Sequence, residues 1–420
     1  MPVQYVSFQI MSRMDKRKLT GYKRTVLIML LLIAVLGFTA VSPALCDLYA
    51  DHIYGALCDL ISHITSLFPF AVGEILMYAW IIMVLAGVVI LFLLIFFRKK
   101  KAFVSFCSRY FKVFSVILLS IVLIYILTWF IPFNGTVLGH GNCDKRTDFS
   151  YDEIYALLCY FADSANAAAE EISVSDDGYV EFYPTEKITS LASDAMRDLG
   201  DEFPRLSGYY PPVKNAICSD ILDRMYIGGY NYPYTMEPTH NRYISPLYQA
   251  VLDAHEYAHH KGYYKENEAT FLSELALSRS DDPYLRLAAY IELYNYTYSA
   301  YSIALDNSFR QMIDNGSIVL PEDIDPADEY KYIRRITAEI FGERPVLSDR
   351  VCMIYDAGLN AEQEIYDADT HAIDEMPAVN EFIEETGDTG WQTQSEIIGD
   401  ESYDGATLLI LQYFCDHPGS

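Results

Sequence analysis

His255-Glu256-Tyr257-Ala258-His259 sets two imidazoles four positions apart, with a glutamate directly after the first. On a helix, positions i and i+4 share a face one turn apart, so both imidazoles can reach one metal ion. Glu256 then sits beside the ion rather than on it, where it can act as a general base toward water. Zinc sites of this class take three protein ligands and keep one position open. The spacing therefore predicts one Zn2+ per chain, with His255 and His259 as metal ligands and Glu256 as the catalytic residue. A third histidine spaced as in HExxHxxGxxH would fall at residue 265. Position 262 is Gly, but 265 is Lys, which cannot ligate while charged. A carboxylate beyond that turn, Glu266 or Glu268, is the remaining choice. His260 lies about 100° around the helix from His259 and reads as exposed. His240 reads as a structural loop histidine before an oxyanion donor. Tyr230, Tyr232 and Tyr234 read as core or surface before cleft, since the chain has 35 tyrosines.

The elements that must position these residues have legible ends. Ser245-Pro246 opens a helix, with Ser as N-cap and Pro at the first helical position, and Gly262 closes it. A second helix begins near Lys265 and carries Glu266, Glu268, Phe271, Leu272 and Leu275. Upstream, Ser150 and Glu153 form a capping box ahead of Ile154, Leu157, Leu158 and Phe161 at helical spacing. Another helix runs from Pro184-Thr185 to Gly200. Residues 201–245 read as loops with short strands, and Tyr226–Tyr234 as a strand that Pro233 confines to an edge. Asp282-Pro283 opens a longer helix to about Asn307. Ser348 caps a short helix ending near Gly358. Residues 366–402 are an acidic excursion, and Asp404–Phe414 is a last apolar helix. The fold class expected is a membrane protein: three N-terminal transmembrane helices, then a mainly α (α+β) zincin-like ectodomain.

The membrane part follows from charge-free runs. Thr25–Leu45 is 21 residues without a charge, long enough to span at ~1.5 Å per residue; its length and Pro43 favour an uncleaved anchor over a signal peptide. Further runs cover 75–97 and about 111–131. Basic residues cluster before the first run (Lys16, Arg17, Lys18, Lys23, Arg24) and after the second (Arg98–Lys101). The positive-inside rule then puts residues 1–24 in the cytoplasm and residues 134–420 outside it, on a multi-pass protein of the cell membrane whose membrane region is 25–133. The amphipathic 46–74 loop reads as interfacial or packed on the ectodomain. Residues 1–133 hold 12 Lys+Arg against 5 Asp+Glu, and residues 134–420 hold 18 against 52, so the net −27 is +7 followed by −34. Such an acidic second part argues against nucleic acid as a partner and fits neutral or cationic substrates. Eight scattered cysteines include no CxxC pair, so a cysteine zinc site is not expected; the five after residue 133 could be bridged or free.

Several blocks together carry a resemblance: Phe68-Pro-Phe-Ala-Val-Gly-Glu74, Gly229-Tyr-Asn-Tyr-Pro-Tyr-Thr-Met-Glu237 with Asn241, His255–His259 with Gly262, Glu266-Asn-Glu-Ala-Thr-Phe271, and Ser402-Tyr-Asp-Gly-Ala-Thr-Leu-Leu409. The chain resembles an uncharacterised bacterial family of three-span membrane proteins with an extracytoplasmic HExxH zincin-like domain (domain of unknown function 3810). Its E-D-E-A-N-F block is similar to residues 266–271, with Asn267 for Asp and Thr270 for Asn. The block also resembles the E-x-x-A-[DN] pattern of several HExxH peptidase families, in which the glutamate three before the alanine is the ligand. That resemblance implies Glu266, with Glu268 as the alternative, and a gluzincin-like peptidase whose substrate is undefined.

Three functions compete. The leading one is a membrane-anchored zinc metallopeptidase cleaving peptide bonds outside the cytoplasm, with the bilayer and a peptide or protein substrate as partners. The second is a zinc hydrolase of a non-peptide cell-envelope amide. The third is a non-catalytic zinc-binding receptor or scaffold.

Overall fold

The computed structural model describes residues 3–138, 149–175, 179–318, 332, 335, 336, 338–369, 371 and 401–417, with side chains from residue 21 on and, in the last segment, from residue 405. The linker beyond residue 138, Cys143 and the acidic excursion over 372–400 lie outside the described residues. The chain forms two compact units: Met1–Thr136 together with Asn231–Glu237, and Val137–Tyr230 together with Pro238–Ser420.

The first unit is helical. Helix α1 (Val3–Thr39) is followed by α2 (Pro43–Tyr49), a π turn (Ala50–Tyr54), α3 (Gly55–Thr65), α4 (Val72–Phe97), α5 (Lys101–Tyr125), a second π turn and the short α6 (Ile131–Phe133). Three stretches, Gly21–Thr39, Val72–Phe97 and Lys101–Phe133, are long and apolar enough to cross a bilayer, which marks a multi-pass membrane protein. The first ends at Thr39, short of the residue 45 expected. Pro43 occupies the first turn of α2, and a proline there starts a helix but cannot continue one. The basic turn Arg98–Lys100 separates α4 from α5, whose facing sides interlock through stacked Trp80 and Phe114.

The segment 231–237 explains two of the sequence blocks. The Glu237 carboxylate accepts from the backbone N–H of Val72 (3.0 Å) and Gly73 (2.7 Å), the first two residues of α4. These are orphan donors of a helix start, where the dipole also favours an anion. Thr65 donates its hydroxyl to the Thr235 carbonyl at 3.1 Å. A Cβ on Gly73 would lie 2.3 Å from a ring carbon of Tyr232, so only glycine admits that ring. Two charge-assisted bonds to otherwise buried donors make Glu237→Ala costly, by about 2–3 kcal/mol. The measurement is thermal unfolding of the full chain in detergent, and an unchanged melting temperature would refute the capping role.

The second unit packs helices around α10 (Pro246–His260) and α11 (Glu266–Ser278). Helices α7 (Tyr151–Glu171), α8 (Thr185–Asp198), α9 (Ser219–Arg224), α12 (Pro283–Asp314), α13 (Asp349–Ala368) and α14 (Glu401–Asp416) complete it. The caps at Ser150, Asp282 and Ser348 form as their sequences indicate, Ser150 and Glu153 as a full capping box. Leu272, Leu275 and Leu277 of α11 are fully buried, so this helix is enclosed rather than amphipathic. α13 runs well past Gly358. That glycine does not stop the helix: a Cβ there would meet Ser245 Oγ at 2.6 Å, so it admits close packing. A small sheet has the order β1-β3-β2, from β1 (Lys214–Asn215), β2 (Gly229–Tyr232) and β3 (Glu237–His240). β2 is an edge strand, as β1 is, with Pro233 just past its end. β1 pairs parallel with β3, Lys214 opposite Thr239 and Asn215 opposite His240.

In this unit a buried carboxylate, Glu274, feels the charge of a half-buried one, Glu292. Glu274 is 1% exposed with both oxygens unpartnered. Burial, and then the charge of Glu292, hold its carboxyl well above the usual range. Burial pushes Glu292 up from 4.5 to about 7. Between those values the folded chain keeps a proton on Glu292 that the unfolded chain releases, so stability falls as pH rises through that window. Melting temperatures at about pH 5 and about pH 8 should therefore differ less in Glu292→Gln than in wild type; equal differences would contradict the burial argument.

Candidate metal centre

α10 delivers His255, Glu256 and His259 between Pro246 in its first turn and Gly262 just past its end; Ser245 stands at the N-cap position, but its side chain makes no cap hydrogen bond. Gly262 adopts φ +91°, and the Tyr263 N–H bonds back to the Ala258 carbonyl at 3.1 Å, a glycine-closed helix end. This tight turn is what lets so short a linker bring Glu266, the first residue of α11, back over the histidines. Glu266 Oε2 lies 3.0 Å from His255 Nε2 and 3.6 Å from His259 Nε2. One ligand atom from each of the three residues falls within 4.8 Å of the others. The imidazole rings stand 4.6 Å apart and nearly perpendicular, at 89°.

Outer partners orient the two imidazoles. His259 Nδ1 donates to the Tyr263 carbonyl at 2.8 Å, which leaves Nε2 free to ligate. His255 Nδ1 pairs with Thr270 Oγ1 at 3.4 Å. Glu256 is 3% exposed, and its Oε2 has no partner. β2 passes so close that a Cβ on Gly229 would sit 3.2 Å from Glu256 Oε1 and 2.8 Å from the Thr239 carbonyl. Glycine is required there.

Charge in the cluster resolves around Glu266. Burial alone would raise its pKa, but the two imidazoles, His259 first, hold it well below the usual carboxylate range. Burial opposes a charged His259, yet Glu266 and then Glu256 outweigh it and lift the imidazole to about 9. One carboxylate supports one imidazolium: burial and the charge on His259 push His255 down despite its bond to Glu266. Burial drives Glu256 up to about 8. Two imidazole nitrogens and one carboxylate, with a further carboxylate beside them, are the donor set of a catalytic zinc site.

The other residues singled out by sequence lie elsewhere. Glu268 turns away: its carboxylate accepts from the Leu138 N–H at 2.6 Å. His260, expected on the surface, is fully buried, its ring 6.4 Å from that of Tyr210. α10 is enclosed nearly all round, with Tyr248 near its start as the exposed position, so His260 has no solvent face to occupy. His240 is structural: Nδ1 pairs with Asp253 at 2.7 Å and Nε2 with Asn215 at 3.0 Å. Asp253 also accepts from Thr189 and Gln249, which fastens α10 to β3 and α8. Tyr232 and Tyr234 belong to the first unit, their rings 5.5 Å apart. No disulfide joins two of the cysteines among the described residues. The Tyr263 carbonyl and Gly229 were not legible as site residues. A backbone carbonyl has no sequence signature, and the glycine is explained only by how near β2 runs to α10.

The chain matches the family described as "Protein of unknown function (DUF3810)" over residues 49–344. It belongs to this family. The DUF3810 match takes in the second and third spans, the 229–237 block and the HExxH, while the first span and the block at 402–409 lie outside it. Gly405 of that last block meets Asn267 of α11, where a Cβ would lie 3.0 Å from Nδ2. No curated protein and no solved structure matches the chain.

Proposed function

We propose that this protein is a membrane-anchored zinc metallopeptidase with a zincin-like, gluzincin-type site outside the cytoplasm. The carrying observation is the convergence of His255, His259 and Glu266 within 4.8 Å beside the buried, half-unpartnered carboxylate of Glu256. His255 and His259 hold the ion through Nε2, and Glu266 through its carboxylate. When bound, zinc supplies Lewis acidity, lowering the pKa of a water to ~7 and polarising a substrate carbonyl. Glu256 accepts the proton that the attacking water loses as the new C–O bond forms. It then donates that proton to the leaving nitrogen as the C–N bond breaks. The Tyr263 carbonyl and Thr270 keep the imidazoles in register throughout. The basic residues before the first span and in the turn Arg98–Lys101 support a cytoplasmic N-terminus, and hence an outward-facing second unit.

The test compares new protein N-termini in cells carrying wild type and Glu256→Gln, together with the zinc content of both purified full-length chains. Equal zinc with cleavage products only in wild type supports a peptidase. Equal zinc without any differential cleavage removes the peptide substrate, and absence of zinc removes the site. The full chain is needed, because Asn231–Glu237 folds with the spans and a 134–420 fragment would lose its partners.

A further inference from the structure

Between the first two spans, α2, the π turn and α3 carry side-chain stripes that repeat every fourth residue. Cys46, Ala50, Tyr54, Cys58 and Ser62 are buried. A repeat of four drifts around an α-helix of 3.6 residues per turn, and the wider π turn at Ala50–Tyr54 offsets the drift. Cys46 clusters with Ile126 and Ile131, with Ile33, Leu36 and Ala40 of α1 packed against them. Tyr49 donates its hydroxyl to the Leu127 carbonyl at 2.9 Å. α2 is therefore seated against the ends of the first and third spans.

The stripe one residue later is polar: Asp47, Asp51, Gly55, Asp59 and His63. Asp47 fastens this flank by accepting from the Thr136 N–H (2.9 Å) and hydroxyl (2.6 Å). The remaining surface is open and mostly apolar, with His52 exposed within it. Leu45, Leu48, Ile53, Leu60 and Ile64 are each between 48% and 62% exposed. So long an apolar stripe marks an interaction surface. Phe38 (73%) and Val41 (72%), at the end of the first span and just before α2, are exposed as well. No Lys or Arg occurs between Arg24 and Arg98, so the helix offers anionic headgroups nothing to bind.

We infer that residues 43–65 lie in the bilayer interface where the first span ends. Leu48, Leu60 and Ile64 reach the acyl chains, and the Asp51 and His63 flank faces the headgroups. Apolar burial holds the segment there and anionic lipid does not contribute. Its occupant is the lipid on which the spans already rest, rather than a second protein surface.

The experiment places the photoreactive residue benzoylphenylalanine at Leu48, Leu60 or Ile64, with Asp51 and His63 as controls, in the full-length chain. Each chain is reconstituted in phosphatidylcholine vesicles, irradiated and analysed by mass spectrometry. Lipid adducts at the three apolar positions should exceed those at the controls several-fold, and their yield should not change when phosphatidylglycerol is added. Cross-linked chain dimers at these positions would replace lipid by a second copy. Equal yields at apolar and polar positions, or a yield that depends on phosphatidylglycerol, would equally overturn the inference.

Discussion

Glu256→Gln should bind zinc as wild type does and lose about 10²–10⁴-fold in turnover, the range a positioned general base contributes. The amide keeps the volume of the carboxylate, so it fits the narrow space under Gly229, where the backbone of β2 leaves no room for a larger group. It also keeps His255 and His259 in place, because neither ligating nitrogen bonds to Glu256; their partners are Glu266, Thr270 and the Tyr263 carbonyl. What it loses is proton affinity. Burial raises the Glu256 carboxyl above the ordinary carboxylate range in the metal-free site, and a carboxylate can take up a proton and return it to the departing nitrogen. A glutamine does neither. The two readouts are metal content and cleavage rate on the same preparation. Zinc retained with near-wild-type turnover would remove Glu256 from the chemistry. Zinc lost would mean the residue supports the ligands instead.

The helices that carry His255, His259 and Glu266 were legible because their ends are written locally. Ser245-Pro246, Gly262 and the acidic start at Glu266 are short-range signals, and so are the caps at Ser150 and Ser348. Gly358 misled because a glycine is also chosen for contact: Ser245 lies against it, and no local pattern distinguishes that from a helix stop. β1 and β3 were invisible for a related reason. They are two and four residues long, β3 contains Pro238, and their pairing joins Lys214 to Thr239 across loops. The 229–237 block was recognisable as a block, yet its reason lay in α4, where Glu237 meets Val72 and Gly73. Long-range pairing of this kind leaves single residues, not periodic patterns, in the sequence. His260 shows the limit of helical-wheel logic, which assumes that one face sees water.

Glu266→Gln should lose zinc, while Glu268→Gln should keep it. The two glutamates are two residues apart at the start of one helix, where the dipole favours either, so their sequence positions do not separate them. Their partners do. Glu266 Oε2 sits against both ligand nitrogens, at 3.0 and 3.6 Å. Replacing it removes the one formal negative charge among the three ligands. The loss in affinity should exceed the ~10–100-fold typical of an outer partner. Glu268 instead accepts the Leu138 N–H, and a glutamine carbonyl can accept the same bond. Glu268→Ala separates the roles further: it should cost about 1–3 kcal/mol of stability by orphaning that donor, with zinc content unchanged. Zinc bound per chain, read beside the melting temperature of each variant, decides the assignment. Metal loss in Glu268→Gln with metal retained in Glu266→Gln would reverse it, and the site would then have to close over the Leu138 contact rather than over His255.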